Sequence, residues 1–293
     1  MSKEPDPKAT REARILPEDD ASKLSNELKE KLLMGTISEA DQDLIELIIA
    51  GLGDKRGSIR RTFTEILGAI GHPAVPALRN ALLHHSNVTV RRSAAKALKL
   101  AGDPRALPDL LKALINDEDP VVQGSSAGAM AIFGEEGVRH LLKVLVNPSS
   151  TAMQCGLATW GLSFVGAEAP NALREAAQSE NVVIKAAAIA ALGEQIQCLG
   201  DKIAKDLVIQ ALDDSAIEVR VEATILLGKL HDLRWVKPLL IEKLFDENAD
   251  VKMKAALSLM KLKSKEAIDD LQKLSLIEKD PRVLRILELA INT

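Results

Sequence analysis

The feature that most constrains this chain is a repeat of about thirty-two residues. The stretch "SIRRTFTEILGAIG" from Ser58 returns as "TVRRSAAKALKLAG" from Thr89 and as "VVQGSSAGAMAIFG" from Val121. It returns again as "EVRVEATILLGKL" from Glu218, "DVKMKAALSLMKL" from Asp250 and "RVLRILELAI" from Arg282. Taking the first core position of each copy as an anchor gives Ile59, Val90, Val122, Gln154, Val183, Val219, Val251 and Val283, with separations of 31, 32, 32, 29, 36, 32 and 32. Recurrence on such a period marks stacked supersecondary units, none of which can bury its apolar face alone.

Each unit reads as two helices. In the first, small residues follow the anchor by about four and five positions and Leu, Ile or Met by about eight, a stripe of helical period. Gly71, Gly102 and Gly134 then stand where a left-handed cap ends a helix. Pro-containing turns follow ("GHPAVPAL", "GDPRALPDL"), with proline suited to the first turn of the next helix. The second helix has a Leu-rich face ("ALPDLLKALI", "GVRHLLKVLV"), and Asp, Asn or Ser opens the next unit. Aromatics are only 2% of the chain and tyrosine is absent, so the core must come from Ala, Leu, Ile and Val, which suits closely packed helices. The expected fold is all-α, a right-handed α-solenoid. A flexible tail is expected over 1–19, an N-terminal helical cap over 20–53, and seven repeats plus a C-terminal half-repeat over 54–293.

Several functional classes are disfavoured. The net charge of −4 gives no pull toward nucleic acid. The longest uncharged run, Val144 to Ala167, contains Asn147, Pro148 and Gln154 and makes no convincing membrane span. The N-terminus has no apolar signal region, and two cysteines 43 positions apart form no disulfide framework, so a cytoplasmic location is expected. None of the five histidines is followed by Glu, and there is no phosphate loop or nucleophile elbow, so no metal site or intrinsic cofactor is expected.

The Val-Arg-x-x-(Ala/Ser)-Ala pattern on this period, together with "GDPRALPDLLKAL", resembles the HEAT-like repeats of the phycobilisome (phycobiliprotein) lyase family, from about Gly53 to the C-terminus. The resemblance implies attachment, transfer or removal of a linear tetrapyrrole (bilin) at a cysteine of a client protein. It implies as partners a phycobiliprotein subunit or a second HEAT-repeat chain. It marks no catalytic residue. The competing reading is a non-enzymatic scaffold or chaperone for another assembly, such as iron–sulfur or photosystem biogenesis.

Four sets of residues are candidates. Cys155 falls in the slot of Arg60, Arg91, Gln123, Ile184, Arg220 and Lys252, and Cys198 lies in an enlarged turn. Each reads as small filler or, beside a cation, as a reactive thiol. The slot arginines read as an Arg–Asp ladder between stacked repeats, with Asp54, Asn87 and Asp214 upstream, or as a basic edge for a partner. The second helices carry Arg79, Lys112, Arg139, Lys143, Arg174, Lys205 and Lys237, either a solvated face or a cationic stripe for carboxylates. Finally, Val121 to Ala167 holds only four charges, Glu135, Glu136, Arg139 and Lys143. Trp160, in the slot of Glu65 and Lys96, reads either as an outward contact residue or as filler over Gly156 and Gly161.

Overall fold

The computed structural model describes residues 16–37, 41–165 and 168–292. Most of the expected tail, 1–15, lies outside the described residues, and a helix already begins at Glu18. Among the described residues there is no strand. The helices are α1 (Glu18–Leu33), α2 (Gln42–Gly51), α3 (Gly57–Ile70), α4 (Val75–His84), α5 (Val88–Ala101), α6 (Leu107–Asn116), α7 (Pro120–Met130), α8 (Gly134–Val146) and α9 (Ala152–Ser163). They continue as α10 (Pro170–Ala176), α11 (Val182–Ala191), α12 (Gly193–Cys198), α13 (Lys202–Ala211), α14 (Ile217–Leu227), α15 (Leu233–Lys243), α16 (Ala249–Lys261), α17 (Ile268–Ile277) and α18 (Pro281–Ile291).

These helices form two compact units, one of Val144 and the residues before it with Ser150–Leu157, the other of Leu145–Ser149 with Ala158 onward. In the first unit the leading helices α3, α5 and α7 pack one on the next, and α4 packs on α6 beside them. In the second unit the leading row is α11, α14, α16 and α18. This is the α-solenoid arrangement, built from helical pairs that bury only against their neighbours. The core is aliphatic: in α5, Val90, Ala94, Ala95, Ala97 and Leu98 are all buried. Alanine at these positions lets adjacent leading helices approach closely.

Helix starts are fixed by short polar side chains, each of which satisfies an amide that has no partner inside the helix. Asn87 accepts from the Thr89 amide, Asp119 from Val121 and Val122, Asn181 from Val183 and Ile184, and Asn248 from Asp250 and Val251. At the helix ends the expected left-handed cap forms at Gly102 (φ 65°, ψ 20°). Gly71 and Gly134 also have positive φ, but with ψ near −130°, a region still more restricted to glycine.

Two anchors depart from the expected pattern. Val183 is 51% exposed, so it cannot be the buried anchor of its repeat. Its neighbour Lys185 makes the ion pair characteristic of the following slot, which places the anchor at Ile184 and Lys185, not Ile184, in the ladder slot. Gln154 is a polar anchor yet 6% exposed. The Thr151 amide donates to its Oε1 (2.8 Å), its own amide donates to Thr151 Oγ1 (3.2 Å), and its Nε2 donates to the Ile115 carbonyl (2.7 Å). The first two bonds form a capping box, and the third satisfies the remaining buried donor.

Candidate binding surface

The expected arginine ladder is present, but its rungs reach the next repeat's loop. Arg91 Nε donates to Asp117 Oδ2 at 2.7 Å, Arg220 Nε lies 3.2 Å from Asp246 Oδ2, Lys185 Nζ lies 3.1 Å from Asp214, and Lys252 pairs with Glu278. The same arginines reach back as well. Arg60 donates to the Asp54 and Lys55 carbonyls, Arg91 to those of His85 and Ser86, and Arg220 to those of Asp214 and Ser215. A guanidinium thus ties its own helix start to the following loop. Each acceptor carboxylate also takes a main-chain amide: Asp119 to Asp117, Ala216 to Asp214, Asn248 to Asp246 and Asp280 to Glu278. Glu278 is held below the usual carboxylate range by the Asp280 amide and by Lys252. At Asp214 burial pushes the other way, but the Ala216 amide and Lys185 outweigh it and the carboxyl is lowered.

Toward the centre of the sequence the donor slots and the nearby loops lose their charge. The donor slots hold Gln123 and Cys155, and Asn147 and Ser179 stand in loops further along the sequence. Gln123 keeps the backward bond, Nε2 to the Asp117 carbonyl at 2.7 Å. Asn147 and Ser179 keep the turn, accepting from the Ser149 and Asn181 amides. Neutral side chains at these positions leave no stranded buried charge. This accounts for part of the low charge of the region.

The remainder is exposed. Trp160 is 48% and Phe164 55% accessible, and their rings meet edge to face with centroids 4.6 Å apart. A side chain at Gly156 would meet open space, so the tryptophan does not fill a void left by that glycine. Met153, at the start of the same helix, is also exposed. Cys155 is half-buried and Cys198 is exposed at the end of α12, and no disulfide joins them.

The second-helix cations are largely paired. Arg79 binds Asp109, Arg174 lies 3.5 Å from Asp201, Lys237 binds Glu266 at 2.8 Å, and Lys205 sits 4.4 Å over the Trp235 ring. Lys237, the Glu266 amide and Ser264 bring the Glu266 carboxyl down to about 2. Arg139 pairs within its own helix, at 2.9 Å from Glu136. Lys112 and Lys143 are exposed and form no ion pair among the described residues. No group of three His, Cys, Asp or Glu side chains converges as metal ligands among those residues, and no described helix is long and apolar enough to cross a membrane.

The family model for HEAT repeats matches residues 45–131, 75–155 and 204–292. The bilin biosynthesis protein MpeU of Synechococcus sp. (strain WH8020) is 43% identical over 277 residues, covering 94% of this chain and 93% of that protein. The uncharacterized phycocyanin operon protein Z of Pseudanabaena tenuis (strain PCC 7409) is 34% identical over 132 residues, 43% of this chain and 65% of that one. Among solved structures, the complex of CpcE and CpcF of phycocyanin lyase from Nostoc sp. PCC7120 aligns at 21% identity and a TM-score of 0.35, covering 82% of this chain and 97% of that one. With its repeats matched over most of its length and a full-length relative at this identity, the chain belongs to the HEAT-repeat proteins of the phycobilisome-lyase type.

Proposed function

We propose that this protein handles a bilin, or the phycobiliprotein that carries it, by binding at the exposed aromatic pair at the C-terminal end of the charge-free helix α9. The observation that carries the reading is the Trp160–Phe164 pair, two of the few aromatics in the chain, standing in solvent where a core would hide them. The wide conjugated face of a linear tetrapyrrole stacks on such a pair, and the absence of charge on α9 removes the desolvation cost of covering it. The full-length similarity to a bilin biosynthesis protein supports the same ligand class.

On this reading the chain acts as a lyase-type binding subunit that holds the bilin against a client's cysteine, and catalysis is chiefly proximity. The protein's own thiols fit that role poorly. Cys155 precedes Trp160 by five residues, which turns it about 140° around the helix, away from the aromatic face. Cys198 lies on α12, distant in sequence from the pair. Titration with biliverdin, followed by visible absorbance, tests the proposal. Saturable red-shifted absorbance in the wild type that is lost in Trp160→Ala is the expected result. A flat titration would favour the scaffold reading.

A further inference from the structure

The leading helices of the first unit carry an unusual charge pattern. In α3, Arg61 and Glu65 stand one turn apart and pair at 2.7 Å. One repeat later the same two slots hold Arg92 and Lys96, so the acid is replaced by a second cation. Helix α5 as a whole has Arg91, Arg92, Lys96 and Lys99 and no acidic residue. Arg91 is committed to Asp117, but Arg92, Lys96 and Lys99 form no ion pair among the described residues. Arg92 Nε is closed off from water and has no hydrogen-bond partner. The Lys96 ammonium is lowered by partial desolvation and by the repulsion of Arg92 and of Arg60 on α3. Arg60 itself is directed at main-chain carbonyls.

Like charges a turn apart destabilise a helix, and a guanidinium nitrogen without a partner in a dry position needs an acceptor. The repulsion between the cations is relieved when a carboxylate lies over this face, whereas Arg92 Nε, closed off from water, lies beyond the reach of an outside partner. We infer that the α5 face bearing Arg92, Lys96 and Lys99 is a docking surface for an acidic segment of a protein partner. The three cations follow one helical stripe over about 10 Å, a spacing that successive acidic side chains of a peptide can match. The chain's net charge of −4 disfavours an extended phosphate polymer as the occupant. The inference does not depend on bilin binding.

Fluorescence anisotropy with a fluorescein-labelled hexaglutamate peptide tests it. Wild type binds saturably, more weakly as salt rises. Lys96→Glu restores the Arg61–Glu65 pattern, so its helicity and melting temperature hold while its affinity for the peptide falls at least about tenfold. If that variant fails to fold, Lys99→Glu at an exposed position takes its place. Lys261→Glu, an equal charge change on an exposed lysine of α16, binds as wild type. The inference is overturned if wild type shows no saturable binding, or if Lys261→Glu weakens the peptide as much as Lys96→Glu. It is also overturned if a polyphosphate of equal charge binds more tightly than hexaglutamate.

Discussion

The ladder makes a quantitative prediction at Arg220, the most enclosed rung. The Arg220 side chain is 8% exposed and the Asp246 side chain 7%. Substituting Arg220→Gln keeps a donor for the Asp214 carbonyl, as Gln123 does for Asp117, but removes the cation facing Asp246. A buried carboxylate is then left with only the Asn248 amide. Breaking a buried pair from one side costs about 3–5 kcal/mol, and the surviving amide bond places this case near about 3. Asp246→Asn retains the turn acceptor and leaves Arg220 with the exposed Glu247 as a carboxylate partner and with the Asp214 and Ser215 carbonyls, so it costs less. The double variant Arg220→Gln/Asp246→Asn removes both charges together and so has no stranded charge. Urea unfolding of the four proteins therefore yields a coupling energy of at least about 1.5 kcal/mol. If the two single losses simply add, within about 0.5 kcal/mol, the ladder contributes no specific pairing and the argument fails.

Further outcomes follow from other sites. Trp160→Arg, at an exposed position, lowers stability by less than about 1 kcal/mol in thermal melts but weakens biliverdin by about tenfold or more; a collapse in stability with normal binding by the folded remainder refutes the contact role. Gly137→Ala brings a methyl group within 2.1 Å of the Met130 carbonyl oxygen and so destabilises by about 1–3 kcal/mol. Gly156→Ala points into open space and gains up to about 1 kcal/mol of helix propensity, so denaturation curves of the two alanine variants shift in opposite directions. Glu266 is lowered from 4.5 to about 2, so its ionised form favours the fold above pH 4.5 and that contribution is lost as pH falls toward 2. In Lys237→Gln the carboxyl titrates closer to 4.5 in a carbon-13 titration, and an unchanged midpoint counts against Lys237 as the main cause.

The repeat architecture was legible because the constraint acts at every turn: a buried Val or Ile, small residues behind it and a polar cap ahead recur together. The register failed at the one repeat where an apolar run hides the anchor. In "NVVIK" both valines are exposed and Ile184 is the anchor, and the signal lay in the polar frame rather than in hydrophobicity. "NVTVR" at 87–91 has the same capping Asn four residues before its ladder cation, so matching cap to cation would have set the register correctly. The partners of the ladder were harder to read, because Arg91 and Arg220 bind side chains 26 residues downstream, in the next repeat, while only main-chain oxygens of the upstream loop are used. Local sequence shows the donor but not which of two flanking loops supplies the acid.

The same geometry separates two meanings of missing charge. Gln123 and Cys155 are neutral side chains in slots that elsewhere hold a cation, so no buried ion is stranded there. At Trp160 the replaced residues of the earlier repeats, Glu65 and Lys96, are exposed, so solvation imposes no such requirement there. An exposed slot that abandons a charge for an indole beside Phe164 departs from what stability asks of a solvated helix face, and stability alone does not account for it. The charge-poor centre therefore combines neutral donor slots with an exposed aromatic pair. On the proposed function, the second is the feature that binds.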